Sequence, residues 1–216
     1  MKITVTEQGP YVVSDDVPLR RKRAVTTEQG EPVTWESDEP SAPQGEYELC
    51  RCGGSQNKPY CDGTHETRDW DGTCTAPTDT YDDRAQSYGG DGLVVRDDPS
   101  LCEHAGFCAN RASNVWKLAP KAGETAIRSQ VIGMVERCPS GRLTYEVDGR
   151  AVEPDLARSI GVVDDGPLFV TGGIETERPD GQPFETRNRM TLCRCGQSAN
   201  KPLCDGSHSK VGFSDS

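Results

Sequence analysis

Two nearly identical sixteen-residue strings constrain this chain more than any other feature of its sequence. CRCGGSQNKPYCDGTH occupies residues 50–65 and CRCGQSANKPLCDGSH occupies residues 193–208, and twelve of the sixteen positions are identical. Both strings have the spacing C-x-C-x8-C-x3-H, without a gap. Repetition of three cysteines and one histidine in the same register predicts two copies of one small metal-binding unit.

The spacing suggests how each string holds metal. The two cysteines of C-x-C can bind one metal ion from a tight turn. We expect a helix to begin at the Asp-Gly pair, with the aspartate as its cap. The third cysteine and the histidine, at i and i+4, would lie on one face of that helix. The predicted ligands are Cys50, Cys52, Cys61 and His65 in the first copy and Cys193, Cys195, Cys204 and His208 in the second. Two donor pairs favour a binuclear iron–sulfur cluster, a structural zinc ion also accepts three cysteines and a histidine, and disulfides or inert buried thiols are the remaining alternative.

Composition indicates small units rather than one large core. Only 33% of the 216 residues are hydrophobic, and there are 23 glycines and 15 prolines. The N-terminal segment lacks the apolar run of a signal peptide, and no stretch is long enough to span a bilayer, so we expect a cytoplasmic protein. In that compartment the ten cysteines would stay reduced and favour metal binding. The net charge of −11 argues against nucleic acid or an anionic membrane as partner, and leaves a basic protein partner or simple solubility.

The repeat extends upstream of the cysteines. GPYVVSDDVPL (9–19) resembles GPLFVTGGIET (166–176), and each predicts short strands around a turn at Asp15-Asp16 or at Gly172-Gly173. The polar segment 20–45, present only in the first copy, is predicted to be an exposed loop.

A different sequence separates the copies. Residues 92–98 and 143–149 read as strands and 126–137 as an amphipathic helix, so the middle is a small α+β unit. The predicted domains are a first unit at 1–74, a linker at 75–91, the middle domain at 92–150 and a second unit at 151–216.

Both strings resemble the CDGSH-type (NEET) iron–sulfur domain, whose pattern is C-x-C, a Ser or Thr, a Pro, and then C-D-G-(S/A/T)-H. The match covers the predicted ligands together with Ser55, Pro59, Asp62 and Gly63 in the first copy and Ser198, Pro202, Asp205 and Gly206 in the second. The resemblance implies a 2Fe–2S cluster in each copy, held by three cysteines and one histidine beneath a β-rich cap. Family members commonly pair two such units about a two-fold axis, and we infer that this chain forms the pair within itself, as a monomeric pseudo-dimer with an α+β, β-rich fold.

The middle unit resembles a divergent single-cluster ferredoxin. It has Cys102 and Cys108 in CEHAGFC and Cys138 followed by proline, whereas the usual central cysteine position holds Ala105. The resemblance implies a third cluster of 3Fe–4S or 4Fe–4S type, with His104 as a candidate fourth ligand. A domain that has lost its cluster, or a reversible Cys102–Cys108 disulfide, would fit the same residues.

These features predict an electron carrier rather than an enzyme, because no nucleotide loop or nucleophile–base pair is visible. A histidine among thiolates raises the reduction potential of a cluster and can exchange a proton near neutral pH. Lys58 and Lys201, near the two ligand loops, are either cations that tune the clusters or solvated turn lysines. The expected partner is a redox protein or an apo iron–sulfur protein that accepts a cluster; cluster storage, redox or pH sensing, and a zinc-stabilised interaction module are the alternative functions.

Overall fold

The computed structural model describes residues 1–14, 16–41, 43, 45–90 and 92–215, in which three sheets carry most of the regular structure. The strands are β1 (Lys2–Val5), β2 (Tyr11–Val13), β3 (Leu19–Thr26), β4 (Pro32–Ser37), β5 (Tyr47–Leu49), β6 (Gln86–Gly90), β7 (Leu93–Asp97), β8 (Leu143–Val147), β9 (Arg150–Val152), β10 (Ser159–Val163), β11 (Leu168–Thr171), β12 (Glu175–Glu177) and β13 (Arg189–Leu192). The α-helices are α1 (Tyr81–Arg84), α2 (Val115–Leu118), α3 (Thr125–Glu136) and α4 (Ser207–Lys210), and 3-10 turns lie at Thr64–Glu66, Pro99–Leu101 and Ala119–Lys121.

The two CDGSH-like units exchange strands. The first sheet has the order β12-β1-β2-β5 and the second has the order β13-β11-β10-β3-β4. Strand β12 of the second unit pairs in parallel with β1, and β3 of the first unit pairs in parallel with β10. Starting from the exchanged strand, the first sheet has the order β12-β1-β2-β5 and the second has the equivalent order β3-β10-β11-β13, to which β4 is added. This equivalence confirms the predicted pseudo-dimer within one chain.

One hydrophobic core serves both units. Strand β1 alternates half-buried and buried residues, as expected of a strand with one face on a core. Ile3 and Val13 from the first unit and Ile160, Leu168 and Val170 from the second are all fully buried in the same cluster. Because the two sheets share this core, neither unit is closed without the other.

The middle domain has its own antiparallel sheet, in the order β6-β7-β8-β9, covered by α2 and α3. Its core includes Leu93, Val95, Val131, Val135 and Leu143. The predicted strand at 92–98, helix at 126–137 and strand at 143–149 are confirmed as β7, α3 and β8 within two residues at each end.

The polar segment 20–45 is not a simple loop, so that prediction was wrong. Strands β3 and β4 form a hairpin, with one register shift between Val25 and Thr26. The first residues of β3 are inserted beside β10, and its later residues are exposed on the outer part of the hairpin. A strand that pairs through its backbone can keep polar side chains in solvent, so side-chain polarity does not distinguish it from a loop.

The domain boundaries also differ from the prediction. The predicted linker 75–91 contains α1 and β6, and β6 pairs with β7 along its whole length. The boundary at residue 150 falls within β9, which closes the same sheet. Strand β6 was missed because its sequence, QSYGG, lacks alternating hydrophobic residues. Of the two predicted turn pairs, Gly172 and Gly173 have positive φ angles, as does Asp16, whereas Asp15 lies outside the described residues.

Every helix in the described part of the chain is too short or too polar to cross a bilayer.

Candidate metal centres

Backbone hydrogen bonds bring the four candidate ligands of the first copy together. Residue Cys50 follows β5, and its N–H donates to the carbonyl of Pro59 at 2.8 Å. The N–H of Cys61 donates to the carbonyl of Glu48 at 3.0 Å, so the third cysteine returns beside the start of C-x-C. The Sγ atoms of Cys50 and Cys52 are 3.9 Å apart, and Cys61 Sγ lies 3.4 Å from His65 Nδ1.

The second copy has the same geometry. Residue Cys193 follows β13 and donates its N–H to Pro202 at 2.8 Å, and Cys204 donates to Thr191 at 2.9 Å. The Sγ atoms of Cys193 and Cys195 are 3.7 Å apart, and Cys204 Sγ lies 3.3 Å from His208 Nδ1. Two sulfurs bound to one tetrahedral ion at about 2.3 Å are separated by about 3.8 Å, so each C-x-C pair suits one metal ion. Each site thus presents a Cys–Cys pair and a Cys–His pair.

The thiols of each C-x-C pair are electrostatically unequal. A hydrogen bond from Cys52, supported by backbone N–H groups, lowers the pKa of Cys50, whereas the pKa of Cys52 is raised. Cys193 and Cys195 show the same opposite shifts. One thiol in each pair therefore ionises readily, and the thiolate is the form that binds metal.

The serine and aspartate of the motif hold the loops. Ser55 Oγ donates to the Tyr60 carbonyl, and Ser198 Oγ donates to that of Leu203, both at 2.7 Å. The carboxylate of Asp62 accepts the N–H groups of Gln56 at 2.8 Å and Thr64 at 3.0 Å.

The predicted capping role of the aspartate needs a correction. The residues at the N-cap positions are Gly63 and Gly206, with φ of 82° at both, and the helical segments that follow have only three and four residues. The aspartates lie one residue earlier, although Asp62 and Asp205 still accept the first helical N–H, each at 3.0 Å. Because Cys61 and Cys204 precede these short helices, a bend of the loop, not a continuous helix, brings each cysteine to its histidine.

The two C-x-C loops touch one another. Gly53 and Gly196 have φ of 78° and 77°, and a Cβ atom on either would collide with the backbone carbonyl of Cys195 or Cys52, respectively. Only glycine satisfies both the conformation and the close approach. The two candidate centres are therefore neighbours, joined through the contact between their C-x-C loops.

The arginines inside C-x-C are buried and have different partners. Arg51 donates to the carbonyl of Gly72 and lies 5.1 Å from the ring centroid of Trp70. Arg194 lies 5.1 Å from the ring centroid of Phe213 and forms an ion pair with Asp215 at 2.7 Å.

The position that holds Asp215 in the second copy is occupied by Gly72 in the first, so Arg51 has no carboxylate at the equivalent place. The Nε and Nη1 atoms of Arg51 are buried without a hydrogen-bond partner in the described part of the chain. The guanidinium groups of Arg194 and Arg21 hold the pKa of Asp215 well below its usual range, although burial opposes this shift.

The three cysteines of the middle domain line one cavity. Cys102, Cys108 and Cys138 surround a space of about 170 Å³ that also borders Arg142 and Leu143. Residue Cys102 follows the 3-10 turn at Pro99–Leu101, and Cys138 lies just beyond α3. Three thiols around one cavity fit the donor set of an iron–sulfur cluster.

Residue His104, the candidate fourth ligand, borders this cavity but lies against the second CDGSH-like site. A Cβ on Gly206 would be 2.6 Å from Cδ2 of the His104 ring. Residue Glu103, which the sequence did not single out, is 6% exposed. One of its carboxylate oxygens, Cys204 Sγ and a ring nitrogen of His208 all lie within 4.8 Å of one another. Burial raises the pKa of Glu103 to about 8 and lowers that of His208.

The two lysines do not form equivalent contacts. Lys58 Nζ lies 5.9 Å from the ring centroid of Phe213, whereas Lys201 Nζ donates to the carbonyl of Ser198 at 2.8 Å. Neither contact is with a candidate ligand, and the tuning role of these lysines stays a prediction. Arg68 is a further cation, which the sequence did not predict to be near a ligand, and it lies near Cys52. The corresponding position of the second copy is Val211.

Comparison with known families agrees with this geometry. The sequence matches the family described as iron-binding zinc finger CDGSH type over residues 8–66 and 165–209. It matches the family described as divergent 4Fe-4S mono-cluster over residues 88–148. The chain carries two CDGSH-type regions around a divergent mono-cluster region. It is thus an iron–sulfur protein. The two CDGSH ranges contain both ligand loops but leave out β1 and β10, and the mono-cluster range covers most of the middle sheet but leaves out β9.

No curated protein and no solved structure matches the chain. No relative therefore assigns roles to Glu103 or to the two arginines. The arginines repeat inside C-x-C, whereas the sequence carried no signal for Glu103. Glu103 is one acidic residue within CEHAGFC, and only the fold places this segment against the second CDGSH site, about a hundred residues further along the chain.

Proposed function

We propose that this protein is a one-electron carrier with a 2Fe–2S cluster at each CDGSH site. Cys50, Cys52, Cys61 and His65 would hold the first cluster, and Cys193, Cys195, Cys204 and His208 the second. The observation that carries the proposal is the presence of two donor pairs at each site, Cys–Cys and Cys–His, each spaced to bind one metal ion. A bound cluster supplies one-electron oxidation and reduction, and the protein supplies its burial, orientation and surrounding charge.

Contacts between the sites support a relay. The two C-x-C loops meet at Gly53 and Gly196, and the segment that carries Cys102 lies against Cys204 and His208. A third cluster, of 3Fe–4S or 4Fe–4S type, bound by Cys102, Cys108 and Cys138 would stand next to the second CDGSH site. Electrons would then pass between centres inside one small protein before reaching an external redox protein.

Cluster transfer is the second candidate function. It is favoured by the exposure of the first site, where Cys61 and His65 are only half-buried. In this role the acceptor is an apo iron–sulfur protein. For either role we propose a cytoplasmic protein that acts on a partner and not on a substrate of its own.

Iron and sulfide analysis of anaerobically purified protein tests the cluster content. Four irons and four sulfides per chain indicate two 2Fe–2S clusters alone, and seven or eight irons indicate a third cluster. The Cys102→Ser/Cys138→Ser variant should remove only the irons above four, because these residues line the middle cavity and are not among the eight candidate ligands of the CDGSH sites. A colourless, folded protein that contains zinc would refute the proposal and favour a zinc-stabilised module.

Mixing the loaded protein with an apo-ferredoxin separates the two roles. Electron exchange without movement of iron supports the carrier. Appearance of the ferredoxin spectrum, with a matching loss of iron from this chain, supports cluster transfer.

A further inference from the structure

The two CDGSH sites have different surroundings at their Cys–His pairs. In the first site Cys61 is half-buried, and a Cβ on Gly63 would meet no atom within 4 Å. In the second site Cys204 is only 2% exposed, and a Cβ on Gly206 would lie 3.1 Å from the carbonyl oxygen of Glu103. Because the two glycines share the same φ of 82°, their own conformation does not cause the difference.

The difference comes from the middle domain, whose segment 100–106 lies on the second site. The Asn200 side-chain amide donates to the Ser100 carbonyl at 2.9 Å, which joins this segment to the second ligand loop. His104 has φ of 65°, an unusual conformation for a residue with a side chain, and its ring lies over Gly206. A strained residue that persists at a contact indicates that the surrounding structure holds it there.

Glu103 provides an independent observation. Its side chain is buried, and within the described residues no hydrogen-bond donor or cation pairs with its carboxylate. Burying a carboxylate without partners is unfavourable, so a buried Glu103 indicates that this side chain has a function other than stabilising the fold. Its oxygen lies within 4.8 Å of Cys204 Sγ and a ring nitrogen of His208, whereas no such group accompanies Cys61 and His65 in the described residues.

We propose that Glu103 and His104 form a cover, supplied by the middle domain, that retains the metal group of the second CDGSH site. The first site, which lacks this cover, is then the one that exchanges its cluster or meets the external partner. This inference rests on the proposed function and assigns different tasks to the two copies. The second centre serves internal transfer next to the middle domain, and the first serves exchange with the outside.

Chelator challenge with pulsed alkylation measures each site in the intact protein. Chelation is a ligand exchange without electron transfer: chelator donors replace the protein donors on iron, sulfide leaves as hydrogen sulfide, and the freed thiols become available to alkylation. Peptide mapping by mass spectrometry then follows Cys61 and Cys204 separately. We expect Cys61 to be alkylated roughly tenfold faster than Cys204, the scale on which groups around a metal site alter retention.

The Glu103→Ala/His104→Ala variant should raise the alkylation rate of Cys204 by roughly tenfold and leave that of Cys61 unchanged. Glu124→Ala, which removes an exposed carboxylate elsewhere in the middle domain, should alter neither rate. Should the double variant unfold, His104→Gly removes the ring at a position whose φ suits glycine, and it should also speed the reaction of Cys204.

A second pair of variants displaces the cover without changing its residues. Gly206→Ala and Gly63→Ala carry the same backbone strain, but only the former pushes against Glu103 and His104. Gly206→Ala should therefore accelerate alkylation at its own site more than Gly63→Ala does at the first.

Equal rates at Cys61 and Cys204 in the unaltered protein, or an unchanged rate at Cys204 in the cover variants, would overturn the proposal. Failure of the proposed function has a different signature, because iron and sulfide would then be absent. In that metal-free protein Cys204 should still react more slowly than Cys61.

Discussion

The glycines at the contact between the C-x-C loops offer the sharpest test at the scale of single residues. Gly53→Ala adds a side chain at φ of 78° and against the carbonyl of Cys195, whereas Gly30→Ala adds one at φ of 79° with no atom within 4 Å. We expect Gly53→Ala to cost roughly 2 kcal/mol more than Gly30→Ala, because only it adds overpacking to the strain. Urea unfolding measures this difference. Equal costs would show that the two loops do not press together.

The ion pair between Arg194 and Asp215 predicts a loss of stability in acid. Since the folded-state pKa of Asp215 is depressed, its contribution is complete above the ordinary carboxyl pKa of about 4 and disappears as the pH falls through the folded value. Asp215→Asn should therefore lower the free energy of unfolding by about 2 kcal/mol at pH 7 and by much less near pH 2. Denaturation curves from pH 7 to pH 2 measure the difference, and a constant gap between the two proteins would contradict the assignment.

Individual residues differ in how far the sequence could predict them. The eight candidate CDGSH ligands could be predicted from the duplication, because both copies have the same donors in register. Arg51 and Arg194 were visible inside C-x-C, but their burial was not, since a charged residue in a loop is usually solvated. Glu103 could not be predicted, because its proximity to Cys204 depends on how the middle domain sits on the second unit.

At the scale of elements, Arg189 on β13 joins the second sheet to the end of α3. Its side chain has no exposed surface, donates to the carbonyls of Val135 and Cys138 at 2.7 and 2.8 Å, and forms an ion pair with Glu153 at 2.9 Å. Replacing it by methionine leaves those carbonyls without a donor and a carboxylate without a partner. We expect Arg189→Met to cost about 3 kcal/mol in unfolding free energy, as for other broken buried pairs.

An exposed arginine provides the control for this variant. Arg158→Met removes a guanidinium that donates to one carbonyl at the surface, and it should change stability by less than about 0.5 kcal/mol. If both substitutions cost the same, Arg189 does not hold the middle domain to the second sheet.

Elements with side-chain periodicity were predictable, and elements defined by pairing were not. The helix α3 buries Val131, Met134 and Val135 on one face, a spacing visible in the sequence. In contrast, β3 contains the polar run RRKR and is a strand because β10 and β4 pair with its backbone. Hydrogen bonding to a distant strand leaves no local pattern, and for this reason the hairpin was predicted to be a loop.

At the scale of the whole molecule, the exchanged strands predict which parts of the chain can fold alone. The middle sheet, with a separate core, lies within 86–152, whereas β1 needs β12 and β10 needs β3. We expect fragment 86–152 to fold by itself, and fragments 1–85 and 153–216 to aggregate or stay unfolded as monomers, because each exposes an unpaired strand edge and half of a shared core. Co-expressed with a tag on one of them, those two fragments should co-purify with iron. Circular dichroism and sedimentation of each fragment measure the outcome, and a folded, iron-containing monomer formed by either outer fragment alone would refute the shared core.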